Sequence, residues 1–135
     1  MTLLVGPVYV AHPYSAPAVD CQWINVCHAS QLSTAVNLHG AATISPLQES
    51  RGREEAFSES GWVASGLILL RVCKAIVLPD YFRISSGCRA ELAEAERLGI
   101  PRFFATVAFT INKVDVAWLI EPAFDAWVES ERAAA

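Results

Sequence analysis

Apolar residues are laid along this chain in two textures: short β-branched runs, and longer stretches whose greasy positions recur at helical spacing. Val5 to Ala11 (VGPVYVA) is a buried first strand opening into the turn-like HPYSAP. Ser15 can cap the following helix, with Pro17 in its first turn, and that helix runs to about Leu38 before Gly40. Ala41 to Ser45 predicts a second strand, followed by the polar loop PLQESRGRE and a second helix from roughly Glu55 to Val72. Ala75 to Leu78 predicts a third strand and Arg102 to Ala108 a fourth. Between them PDYFRISSG leads into a helix that ends at Leu98-Gly99, and from Lys113 to the end the chain reads as helical, reset by Pro122. Strands alternating with helices imply one α/β domain over residues 1–135, a parallel sheet of four to five strands covered on both faces.

One position breaks the pattern. In SSGCRAELAEAERLGIP, Cys88, Leu92, Ala95 and Leu98 fall on one face at about 100° per residue, and Glu91 projects between Leu98 and Ala95. A carboxylate on a core-facing stripe is costly unless it is partnered or functional. It could be satisfied by Tyr9 or by a side chain of the second helix, or it could be catalytic. Burial would raise its pKa and a tyrosine hydrogen bond would lower it, so the sign stays open.

In open α/β sheets, ligands bind beyond the carboxyl ends of the strands. HPYSAP, PLQESRGRE and PDYFRISSG all lie there. The third leads into a helix N-terminus, whose free N–H groups and dipole favour an anion. Ser85 and Ser86 add hydroxyls and Gly87 allows close approach to the backbone, although simple capping explains the same residues. His12 could protonate a leaving group or contact a phosphate. Glu49, Arg51, Arg53 and Glu54 read as a solvated charge cluster, from which an arginine could still reach a ligand.

Composition narrows the partners. A net charge of −4 offers no basic footprint for a nucleic-acid polymer. Apolar residues make up 53% of the chain and charged residues 18%, which leaves apolar surface for another copy to cover. The first helix carries a single formal charge, Asp20, between Ala18 and Leu38, and its uncharged outer face suggests the same homodimer or higher homo-oligomer. The start lacks the features of a signal peptide, and the run from Gly66 to Pro79, broken by Arg71 and Lys74, is too short to span a bilayer. Cys21, Cys27, Cys73 and Cys88 form no CxxC pair and have no His-x(3-5)-His companion, so no metal is expected and the thiols read as reduced in a cytoplasmic setting. GxGxxG, Walker and GxSxG patterns are absent, which disfavours dinucleotides, ATP and α/β-hydrolase chemistry.

Taken together, VYVAHPYS, ISPLQES, WVASGLILLRVCKAIVLPDY and SSGCRAELAEAERLGIP resemble the nucleoside 2-deoxyribosyltransferase superfamily, nearest to its small bacterial and phage branch, over about Val8 to Phe104. The resemblance implies a flavodoxin-like (Rossmann-like) three-layer sandwich around a five-stranded parallel sheet. It implies a glutamate nucleophile at the anomeric carbon of a (deoxy)ribosyl group, and that position is Glu91. Tyr9 would hold the nucleophile, and Ser85 would contact the 5′ end of the ligand. Relatives acting on free nucleosides tend to carry an acid at that position and nucleotide hydrolases a serine. A serine at a helix N-terminus welcomes a phosphate, so the implied substrate is a nucleoside 5′-monophosphate, bound by Ser85, Ser86 and Gly87, with His12, Pro13, Tyr14 and Ser15 lining the sugar or base pocket and no cofactor. The family's helix-two aspartate is replaced here by Ala64-Ser65-Gly66, leaving Glu59, Asp80 or His12 to stand in. A nucleotide sensor without turnover, or a scaffold that binds no ligand, are the other functions compatible with these residues.

Overall fold

The computed structural model describes residues 3–14, 19–46 and 59–135. The elements run β1 (Val5–Val10), α1 (Val19–Leu38), β2 (Ala41–Ile44), α2 (Glu59–Leu70), β3 (Ala75–Pro79), a 3-10 turn (Phe82–Ile84), α3 (Ser86–Leu98), β4 (Arg102–Thr110), β5 (Val116–Ile120) and α4 (Pro122–Ala134). The fold is mixed α/β around a five-stranded sheet of order β2-β1-β3-β4-β5. β1 pairs in parallel with β2 and β3, and β3 in parallel with β4.

The expectation of a purely parallel sheet is corrected at its edge, where β5 pairs antiparallel with β4, Thr110 opposite Val116 and Ala105 opposite Ile120. The stretch from Lys113 is therefore a hairpin return and a strand before it is a helix. Asn112 turns the chain: its side-chain oxygen accepts from the backbone N–H of Val114 and of Asp115, both at 2.9 Å. A five-residue apolar run such as VAWLI cannot be told from a helical turn by periodicity, and the asparagine turn is what decides it. α1 then secures the new strand. Gln31 accepts from the Val116 N–H at 2.8 Å and donates to the Val114 carbonyl at 3.1 Å, and the Trp118 indole donates to the His28 carbonyl at 3.1 Å. Part of the uncharged outer face of α1 is thus used within the chain.

Side chains of a strand alternate between faces, and here the alternation feeds two separate cores. Val8 and Val10 of β1 join Leu32 and Val36 of α1 and Phe124 and Val128 of α4. Tyr9 joins Leu70 of α2, Ile76 and Leu78 of β3, and Cys88 and Ala95 of α3. The second of these clusters carries the functional candidates. α3 is held at both ends: Ser85 caps its start by accepting from the Cys88 N–H at 3.1 Å, and Gly99 ends it with a left-handed φ of 72°.

Candidate functional site

The centre of the site is set by two register facts. Tyr9 sits in β1, between β2 and β3, opposite Ile44 on one side and Ile76 on the other, fully buried. Glu91 lies one turn into α3, half-buried, on the same side as Cys88 and Ala95. Gly66 of α2 closes the third side. A Cβ there would collide with the Tyr9 hydroxyl and stand 3.8 Å from Glu91 Oε2, so glycine is the residue that lets α2 approach both.

Burial pushes the Glu91 carboxyl up from its ordinary value to about 7, the nearby Tyr9 hydroxyl pulling against that rise. None of the ion pairs among the described residues includes Glu91. Tyr9 is itself pushed upward, first by burial and then by the Glu91 charge, so its phenol stays protonated. Its hydroxyl makes no hydrogen bond of good geometry. Buried polar atoms are ordinarily paired, and the polar group nearest the Tyr9 hydroxyl in this pocket of the core is the Glu91 carboxyl. Cys88 is no thiolate: burial, then the Glu91 charge, push it up to about 12.

The start of α3 is where an anion would be received. Ser85 Oγ accepts in the cap, and its hydroxyl also faces the Cys88 thiol. Ser86 is exposed, Gly87 is half-buried, and the first turn holds no acidic residue.

His12 is placed differently from a residue that touches a ligand directly. It is buried, with Nδ1–H donating to the Pro13 carbonyl at 2.8 Å and Nε2 accepting from the Tyr81 hydroxyl at 2.6 Å. Burial lowers its pKa to about 4, the Pro13 hydrogen bond opposing that and His28 adding to it, so the ring is neutral at pH 7. Pro13 is buried and Tyr14 half-buried, its carbonyl accepting from Asn25 at 3.1 Å. Ser15 and the loop from Glu49 to Glu54 lie outside the described residues, as do the Pro17 helix start and the Glu59 side chain. Asp80 follows β3 and is exposed. Among the described residues there is no group of three or more His, Cys, Asp or Glu able to hold a metal ion.

Sequence reasoning overlooked Tyr81, Trp118 and His28, which ring His12. Centroid distances from His12 are 5.5 Å to Tyr81, 6.1 Å to Trp118 and 6.2 Å to His28, each edge-on. An aromatic directly after a predicted strand was the available signal for Tyr81. Trp118 and His28 come from an unforeseen strand and a distant helix.

Comparison of the chain with family models, with curated proteins and with solved structures finds no match. A carboxyl near neutrality, shielded from water, flanked by a protonated phenol and one helical turn from free backbone N–H groups, can attack an electrophilic carbon or trade a proton with a bound ligand.

Proposed function

We propose that this protein cleaves the N-glycosidic bond of a nucleoside 5′-monophosphate, or exchanges its base, through a covalent glycosyl intermediate on Glu91. The fold that goes with this reading is the flavodoxin-like three-layer arrangement of the nucleoside 2-deoxyribosyltransferase superfamily. The observation that carries it is the half-buried Glu91 carboxyl beside the buried Tyr9 hydroxyl. The ionised carboxylate attacks C1′ and the C1′–N bond breaks with its electron pair leaving on the base, which takes up a proton. Water or a second base then attacks C1′, gives up a proton equal to the one taken by the first base, and the ester bond breaks to return the carboxylate. Splitting one displacement into two is the benefit of a carboxylate nucleophile. Tyr9 steadies the carboxylate, and the α3 start, with Ser85, Ser86 and Gly87, receives the phosphate.

Chromatography of free base after incubation with nucleoside 5′-monophosphates tests the proposal. Glu91→Gln is expected to lower base release by on the order of a thousandfold or more, since an amide cannot form the ester. Intact mass after acid quench should show a sugar-phosphate adduct on the native chain and none on the variant. Because attack needs the ionised form, kcat/KM should climb as pH passes upward through about 7. Undiminished release by Glu91→Gln would remove the nucleophile.

A nucleotide sensor is the second reading, and Gly66 is what favours it. At the position facing Tyr9 and Glu91 where a second acid would assist the leaving base, this chain presents no side chain. Nucleotide binding with no base release from any of the four common bases selects the sensor.

A further inference from the structure

The sheet order places its switch point between β1 and β3, because the chain leaves β1 for β2 on one side and later returns to β3 on the other. The helices that follow these two strands pack on different clusters, and in sheets of this kind ligands bind at such a switch point. One hydrogen bond spans the switch point, from the Tyr81 hydroxyl just past β3 to His12 Nε2 just past β1, at 2.6 Å.

The direction of that bond follows from the other ring nitrogen. His12 Nδ1 faces the Pro13 carbonyl, which can only accept, so Nδ1 carries the proton and Nε2 in the neutral ring can only accept. The Tyr81 proton is therefore committed to His12, and the Tyr81 oxygen offers a ligand lone pairs alone. Trp118 backs the phenol at 6.2 Å with a 35° tilt, and the His12 ring stands edge-on to both, so the phenol has little freedom to turn. Tyr81 is half-buried and keeps an exposed side, whereas His12 is buried with both nitrogens used. An oxygen that only accepts is a poor neighbour for a phosphate and a good one for a hydroxyl donor. Tyr81 follows the end of β3 and precedes Ser85, the cap of α3, so it stands at the same end of the sheet as the α3 start.

Building on the nucleotide reading, we infer that Tyr81 is a ligand-binding residue whose oxygen accepts a hydrogen bond from a hydroxyl of the bound sugar, and that His12 is a positioning residue acting through it. The nucleotide's phosphate and sugar are then read by separate chemistries: donors at the start of α3, an acceptor at Tyr81.

Calorimetric binding of ribose 5-phosphate and of UMP, CMP, AMP and GMP to the native chain, Tyr81→Phe, His12→Gln and the double variant tests the inference, with folding checked by circular dichroism. Tyr81→Phe should weaken ribose 5-phosphate and the nucleotides alike, by about five- to tenfold for one neutral hydrogen bond. His12→Gln should weaken binding comparably, and the double variant should be no worse than Tyr81→Phe. The 2′-deoxy and 3′-deoxy forms of UMP identify the hydroxyl, since the analogue lacking it will not sense Tyr81→Phe. If His12→Gln does not fold, His12→Asn replaces it. Nitrogen-15 imidazole spectra of the unaltered protein should show His12 neutral at pH 7 with its proton on Nδ1. Unchanged affinity in Tyr81→Phe, additive losses in the double variant, a loss confined to ligands that carry a base, or a proton on Nε2 would each overturn the inference. Base release with a silent Tyr81→Phe sinks it and leaves the glycosidase standing. The expected binding pattern without base release does the reverse, and a native chain that binds none of these ligands removes both.

Discussion

The two faces of the sheet are built from the same strands and do different things. Toward α1 and α4, β1 contributes Val8 and Val10, which join an apolar cluster ending in Phe103, Phe124 and Val128, and the buried polar atoms without a partner there, His28 Nε2 and Arg132 Nε, belong to the helices and not to the strands. On the face covered by α2 and α3, the intervening residue of β1 is Tyr9, and the cluster holds a phenol with no hydrogen bond of good geometry, two buried thiols and the Glu91 carboxyl at its edge. The first face follows what burial rewards. The second tolerates polar groups that cost stability, and such a cost persists where a function needs it. On the proposed function, the contrast separates the part of the molecule that holds the fold from the part assigned to the chemistry.

The comparison predicts its own sharpest test. Phe124→Ala, a fully buried ring stacked on Trp127 and edge-on to Phe103, should destabilise the protein by about 3–5 kcal/mol in urea unfolding while leaving base release per folded molecule unchanged. A comparable loss of specific activity would show that the faces are not independent.

Glu91→Gln should do the opposite and stabilise. A carboxyl whose pKa rises from 4.5 to about 7 on folding binds its proton more tightly in the native state. The penalty for ionising it is absent below about 4.5, grows as pH rises, and is complete above about 7. The variant should therefore match the native chain near pH 4 and exceed it by roughly 3 kcal/mol at pH 8, read from urea midpoints across that range. A stability difference independent of pH would mean the carboxyl is not held as described.

Gly66→Ala should cost about 1–3 kcal/mol through its collision with the Tyr9 hydroxyl. Adding Tyr9→Phe removes the obstructing oxygen, and the pair should recover the native midpoint or pass it, since alanine favours a helix over glycine by about 1 kcal/mol. Failure of the second change to restore stability would place the obstruction elsewhere.

The smallest effect is Ser85→Ala, about 1 kcal/mol from the lost cap. Ser85→Asp keeps a capping oxygen and so should keep the stability, yet its charge should repel a 5′-monophosphate and spare the matching nucleoside. Equal losses for both ligands would reduce Ser85 to a cap.

Much of this arrangement was legible in the residues. The spacing of Cys88, Leu92, Ala95 and Leu98 around Glu91 marked α3 and its odd carboxylate, and Ser85 and Gly99 bounded it, because helical period and capping are local properties. β1, β2 and β3 were similarly visible as β-branched or small-residue runs beside turn residues. β5 was not, since a five-residue apolar run acquires its identity from the partner strand it finds, and its partner is β4. The role of Gly66 was equally hidden, because nothing next to it in sequence announces that Tyr9, 57 positions earlier, points at its missing side chain.

What the chain determined unaided is periodicity: which residues face inward, where helices begin and stop, and that one inward position is an acid. Tertiary structure decided who meets whom. It set Tyr9 against Glu91 and Gly66, turned His12 from a free loop side chain into the buried acceptor for Tyr81, and made the last strand run backwards. The reason is that propensity and amphipathic spacing act over a turn or a strand, whereas an electrostatic environment is the sum over elements that only packing brings within a few ångströms.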